Sequence, residues 1–269
     1  MRNIHPQFNA QNCCEIVSHY QIFVDSRTFK PSGAEVLVRW NHPVYGILGA
    51  QNLMSCIEDK GIQFRILKYL IKYIIQNDIQ KINIDTLSIN LEAGQLAQKR
   101  TIYLISNVVV PLREFGIKLE IEITERESMK HNIILKRNIS ELNDLGVTLA
   151  VDDFGEGHSN FSRLIDFDFS KIKLSKNIIL SVFQSDKSMK IVESIACLAA
   201  KLGIVLTAEG VETLDQALTM RDMGCHYLQG YLFSRPVSGK EMSSMLETRA
   251  LSLDNRRNYP IKSYPKIRL

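Results

Sequence analysis

The pattern that most restricts the fold is an alternation. From Leu87 onward, short apolar runs rich in β-branched residues alternate with longer stretches whose apolar residues recur every three or four positions. Residues 87–91, 118–124, 147–152, 169–174, 204–209 and 226–230 read as strands, and 95–107, 132–145, 188–201, 214–223 and 239–247 read as helices. The segment after Phe154 is shorter and more loop-like. Upstream, 19–25 and 33–40 are two more strands joined by Ser26-Arg27-Thr28-Phe29-Lys30-Pro31-Ser32, followed by helical stretches at 50–60 and 63–75. That connection is too short for a parallel crossover, so the pair is expected to be an antiparallel hairpin. Eight strands in this arrangement predict an α/β fold, a modified TIM (β/α)8-type barrel with one antiparallel strand, over an open doubly wound sheet. No G-x-G-x-x-G or P-loop follows any of the strands.

At 269 residues, 45% of them hydrophobic, the chain is long enough to bury one barrel core. Its five cysteines are odd in number and show no C-x-x-C spacing, which argues for a reducing compartment and against a zinc site or a disulfide frame. No signal-peptide h-region and no apolar run of membrane-spanning length is present, so a cytoplasmic protein without a membrane segment is expected. The formal charge of +4 is concentrated at the end, where Arg249, Arg256, Arg257, Lys262, Lys266 and Arg268 face the lone acid Asp254. The division that follows is a lead-in over 1–16, a catalytic-sized domain over 17–248 and a basic tail over 249–269, expected to be disordered. With the body near neutral, a nucleic-acid surface is not indicated.

The chemistry gathers around Val147-Thr148-Leu149-Ala150-Val151-Asp152-Asp153-Phe154-Gly155, an apolar run that ends in two carboxylates. Strand side chains alternate, so both acids enter one pocket only if the strand ends there. In a barrel, functional groups collect at the strand ends. Glu35, Leu37 and Arg39 share one face of their strand; Glu120 and Glu122 share another, as do Lys171 and Lys173. Asn90, Glu125, Glu209, Glu212 and Gln229 fall at or near strand tips. A lone glutamate is ordinarily a solvated charge. Glu35, Glu122, Asp152, Asp153 and Glu209 together, with Lys173 as the main cation, are costly to desolvate unless metal neutralises them. Donors restricted to oxygen select hard ions such as Mg²⁺ or Mn²⁺, and a pair of such ions suits phosphate-ester cleavage.

These residues fall into ordered motifs: Glu35-Val36-Leu37 followed by Arg39-Trp40 and His42-Pro43, Ser88-Ile89-Asn90-Leu91, Glu122-Ile123-Thr124-Glu125, Asp152-Asp153-Phe154-Gly155, Lys173-Leu174-Ser175-Lys176, Glu209-Gly210-Val211-Glu212 and Gln229-Gly230-Tyr231. In order and spacing they resemble the EAL-domain phosphodiesterases, which hydrolyse cyclic di-GMP to linear pGpG. The resemblance implies that Glu35, Asn90, Glu122 and Asp152 ligate metal, with Asp153 bridging to or holding a second ion. It makes Glu209 a catalytic and metal-organising carboxylate and Lys173 the group that orients the attacking water. Gln229 would support the metal and water shell, and Glu125 and Glu212 would tie down the loops that carry ligands. Gln21, Leu37 and Arg39 match substrate-contacting positions, and a homodimer is implied.

Departures from the family pattern cluster in one loop, where the usual Thr and Tyr are Glu156 and His158. The usual Asp after the lysine is Ser175, and the first strand reads Tyr20-Gln21-Ile22-Phe23. An alternative reading is therefore a weak or inactive EAL protein acting as a cyclic di-GMP receptor or as a partner-binding regulator, through the basic tail or the loop at 156–160. A third, a DNA-associated regulator acting through the tail, lacks any helix-turn-helix pattern. The length leaves no room for a cyclase, sensory or receiver domain, so signal input is expected from another polypeptide, from metal or from the dimer state.

Overall fold

The computed structural model describes residues 15–57, 60–123, 133–155 and 164–252. Glu125, the substituted loop at 156–160, the first fourteen residues and the tail beyond 252 lie outside the described residues.

The strands are β1 (Ile16–Asp25), β2 (Pro31–His42), β3 (Gly46–Leu48), β4 (Thr86–Leu91), β5 (Lys118–Ile123), β6 (Thr148–Phe154), β7 (Lys171–Leu174), β8 (Val205–Ala208), β9 (Tyr227–Gln229) and β10 (Val237–Ser238). They run β10-β1-β9-β8-β7-β6-β5-β4-β2-β3, and β1 also pairs with β2. With β3 and β10 as appended edge pieces, the other eight close into a ring. Six of the ring's pairings, from β2–β4 round to β8–β9, are parallel. β1 is antiparallel to both its ring neighbours, β2 and β9. The expected barrel with one reversed strand is the fold observed.

The hairpin forms because Asp25 nucleates its turn. Its Oδ1 accepts hydrogen bonds from the Arg27 and Thr28 amides at 3.0 and 2.8 Å and from Thr28 Oγ1 at 2.9 Å. Gly33 then lets the Phe23 ring lie across the barrel. A Cβ there would sit 2.2 Å from Phe23 Cζ and 2.6 Å from the Thr86 carbonyl.

The helices are α1 (Ala50–Met54), α2 (Lys60–Tyr73), α3 (Ala93–Leu96), α4 (Lys99–Glu114), α5 (Ile133–Asp144), α6 (Lys176–Val182), α7 (Asp186–Leu202), α8 (Leu214–Asp222) and α9 (Gly239–Ser252). Several depart from the sequence reading. The single helix expected at 95–107 is two: a Glu92/Gln95 capping box opens α3, and α4 runs on through Pro111 because Val108, Val109 and Leu112 are buried there. The stretch expected at 50–60 shortens to α1. The helix expected at 63–75 starts earlier as α2 and continues as a π turn over Ile74–Asp78. α6 has no counterpart in the periodicity. It starts on Ser175, whose side chain accepts from the Ile178 amide. Serine thus keeps the capping role that the family's aspartate is suited to at that position. α9 runs past the expected end at 247.

Candidate active site

The C-terminal tips of the parallel strands point to one mouth, and the predicted side chains meet there. Strand parity sends Glu35, Asn90, Glu122, Asp152, Lys173 and Gln229 inward, and Glu209 joins them from just past the end of β8. Lys173, on β7, is 2% exposed and lies at the centre. Its Nζ is 2.6 Å from Glu122 Oε2 and 2.5 Å from Glu209 Oε1, and 3.7 Å from both Glu35 Oε2 and Asp152 Oδ1. Those Glu122 and Glu209 oxygens have no other partner among the described residues. Glu35 is gripped from both sides: the Asn90 amide donates to Oε1 at 2.5 Å and the Gln229 amide to Oε2 at 2.6 Å.

The two aspartates reach the site by breaking the pleat. Asp152 is buried as the strand pattern requires. Asp153 adopts φ +50°, in the left-handed region, and the pairing of β6 with β7 shifts register between Val151 and Phe154. Asp is among the few side chains that tolerate this conformation. Gly155 follows at φ +94°, with the Ile178 side chain filling the space a Cβ would need. Asp152, Asp153 and Glu209 thereby bring carboxylate oxygens within 4.8 Å of one another.

The electrostatics follow from burial. Desolvation opposes ionisation of Glu35, but Lys173 and the Gln229 and Asn90 amides outweigh it and hold its carboxyl below the usual range. Burial drives Glu122 well above that range, with Glu35, Asp152 and Glu209 adding to the shift against the pull of Lys173. Burial likewise pushes Glu209 up to about 8, helped by Asp152 and Glu35. Lys173 is disfavoured as a cation by burial, yet the surrounding carboxylates raise it well above its ordinary value.

This donor set suits a hard divalent cation. Two buried amide oxygens, Asn90 Oδ1 and Gln229 Oε1, find no hydrogen-bond donor among the described residues and sit among carboxylates. The carboxylates outnumber the one ammonium placed among them, and every candidate ligand is oxygen.

The substrate candidates lie on the adjoining wall. Gln21 pairs in register with Glu35; its Nε2 donates to the Ser234 carbonyl at 3.1 Å and its Oε1 faces Gln229 Nε2 at 3.4 Å. Leu37 and Arg39 are half-buried beyond Glu35, and Arg39 donates to the Val38 carbonyl at 2.9 Å. Glu212 is not part of the cluster. It pairs with Lys176 at 2.5 Å on an exposed surface, joining the loop before α8 to the start of α6.

One feature went unassigned in the sequence. Below the site, Lys171 and Glu120 form a second buried ion pair at 2.7 Å, with the ammonium 4.7 and 4.9 Å from the ring centres of Phe23 and Tyr227. The period-two repeat of the two lysines and of the two glutamates was its only sequence signal.

The fold and site together define an acid-lined α/β barrel. The sequence profile of the EAL domain family matches residues 7–236, and the chain belongs to that family. It is 34% identical to the cyclic di-GMP phosphodiesterase PdeL of Escherichia coli over 79% of this chain and 60% of that one. The identity to the oxygen sensor protein DosP of Escherichia coli is 31%, over 88% of this chain and 30% of that protein, so the chain spans less than two thirds of these relatives. Among solved structures, the manganese and cyclic di-GMP complex of Klebsiella pneumoniae BlrP1 superimposes with a TM-score of 0.69 at 28% identity, covering 83% of this chain and 56% of that one.

Proposed function

We propose that this chain is a metal-dependent phosphodiesterase that hydrolyses cyclic di-GMP to linear pGpG. The observation that carries the proposal is the convergence of Glu35, Asn90, Glu122, Asp152 and Glu209 around Lys173 at the end of the barrel where loops meet. Glu35, Asn90, Glu122 and Asp152 would hold one Mg²⁺ or Mn²⁺, and Asp153 with Glu209 would complete the place for a second. Such ions, when bound, supply positive charge to phosphoryl oxygens and acidify water.

The chain's own groups divide the remaining work. Gln229 and Asn90 fix the Glu35 carboxylate so that it needs no reorganisation on binding. Lys173 directs its ammonium at the attacking water and at the charge that develops on phosphate. Glu209, beside that ammonium, is placed to take the water's proton. Arg39 offers its guanidinium fork to a non-bridging oxygen, and Gln21 and Leu37 wall the substrate. In-line attack at phosphorus then expels the ribose 3′-oxygen. The reading includes a cytoplasmic location and a homodimer.

The substituted residues Glu156 and His158 favour a second reading, a cyclic di-GMP receptor without turnover. Release of pGpG measured across Mg²⁺, Mn²⁺ and Ca²⁺ separates the two. The hydrolase reading expects Mg²⁺- or Mn²⁺-dependent turnover that drops by about 10²-fold or more in Lys173→Ala. Saturable cyclic di-GMP binding with no pGpG under any metal would replace it with the receptor.

A further inference from the structure

At the end of the barrel opposite the mouth, a cavity of about 270 Å³ opens where β1 finishes and β9 begins. Asp25, Ser26, Arg27, Arg221, His226 and Tyr227 line it. We propose that this cavity binds a small oxoanion of the phosphate class.

The argument rests on donor supply. Two guanidiniums line the cavity, with Asp222 paired to Arg221 and Asp25 beside Arg27, and the Asp25 Oδ1 is already engaged by the 25–28 turn. The exposed Arg27 side chain donates no hydrogen bond to a described residue, and its charge acts on Asp25 and His226 through space. The Arg221 side chain is 11% exposed and meets Asp222 Oδ1 through Nε and Nη2 at 2.9 and 2.8 Å, which leaves Nη1 unengaged. The His226 Nδ1 accepts from the Leu206 amide at 3.2 Å, so the neutral ring carries its proton on Nε2. Burial and Arg27 both keep that ring below its ordinary pKa. Ser26 adds a hydroxyl with no hydrogen-bonded partner among the described residues. A wall whose unused capacity is mainly N–H and O–H complements an acceptor-rich anion. The volume sets the size: it falls below the usual range for drug-sized ligands and holds a tetrahedral oxoanion with a little water.

None of these residues belongs to the metal site, so the two are separable. The test is calorimetric titration of the whole 269-residue chain, metal-chelated, with inorganic phosphate, and in parallel with guanosine 5′-monophosphate. Saturable binding of one equivalent is expected, weakened about tenfold by Arg27→Ser, an exposed position that leaves the core intact, and by Arg221→Gln. Glu35→Gln should leave it unchanged. If the nucleotide binds more tightly than phosphate, the natural source is a nucleotide; if not, it is the free ion. The proposal is overturned by no saturable binding, by an equal heat from chloride at matched ionic strength, or by affinity that survives Arg27→Ser. Binding lost in Glu35→Gln and kept in Arg27→Ser would place the phosphate at the mouth.

Discussion

Glu209 shows how one side chain couples the site to pH. Its carboxyl titrates near 8 without metal, far above its ordinary value of 4.5. Between those values the folded chain holds a proton that the unfolded chain has lost. This contribution to stability is therefore complete below about pH 4.5 and disappears as pH rises through 8. On the proposed metal-dependent reading, a bound ion must displace that proton. Apparent Mg²⁺ affinity should rise by up to roughly tenfold per unit between pH 6 and 8 and level off above, with proton release detectable by titration in buffers of different ionisation heat. A flat profile would remove Glu209 from the ligands. Gly33 makes a different kind of prediction. A methyl there collides with Phe23 and with the Thr86 backbone, so Gly33→Ala should lose about 1–3 kcal/mol in urea unfolding.

Among elements, the paired layers of charge in β5 and β7 are the least ordinary feature. A lone buried charge is more damaging than a buried pair or an apolar replacement. Lys171→Met should therefore cost about 3–5 kcal/mol by stranding Glu120, and Glu120→Leu with Lys171→Met should recover most of it. Equal stability of the single and double variants in denaturant titrations would show that Glu120 left without its lysine costs nothing. At this scale the limits of sequence reading are clearest. Period two placed Glu120 with Glu122 and Lys171 with Lys173, but which lysine enters the mouth depends on strand register, which no local pattern encodes. The same period could not bring Asp152 and Asp153 together without ending the strand. The left-handed turn at Asp153 resolves this, beside the register shift between β6 and β7. Helix α6 is too short to show a period, and β3 and β10 are shorter still. The metal-site candidates were legible because each stands at a strand tip within a recognisable motif. The lining of the proposed anion cavity was not, because Arg27 follows β1 while Arg221 and His226 flank the connection from α8 to β9, about two hundred residues on.

The whole molecule is a ring closed by its ends. β1 pairs with β2 beside it and with β9 near the far end of the chain, and Phe23 stands opposite Gln229. No subset of strands makes a complete barrel, so unfolding of the chelated protein should be a single cooperative event. Trp40 is the only tryptophan and is 1% exposed. Its fluorescence and the far-ultraviolet circular dichroism should follow the same urea transition. Two separated transitions would mean that part of the ring is stable alone.

Closure between distant segments also governs the order in which the protein becomes competent. Every acid of the mouth is translated before Gln229, the amide that clamps Glu35 from the far wall. A nascent polypeptide that has not yet reached its ninth strand, or one cut short before it, carries the carboxylates in an open groove. Water screens their repulsion there, and the ions that the proposed function calls for would lack a rigid cage. On the proposed hydrolase reading, turnover thus waits for the ninth strand, and products truncated before it stay inert.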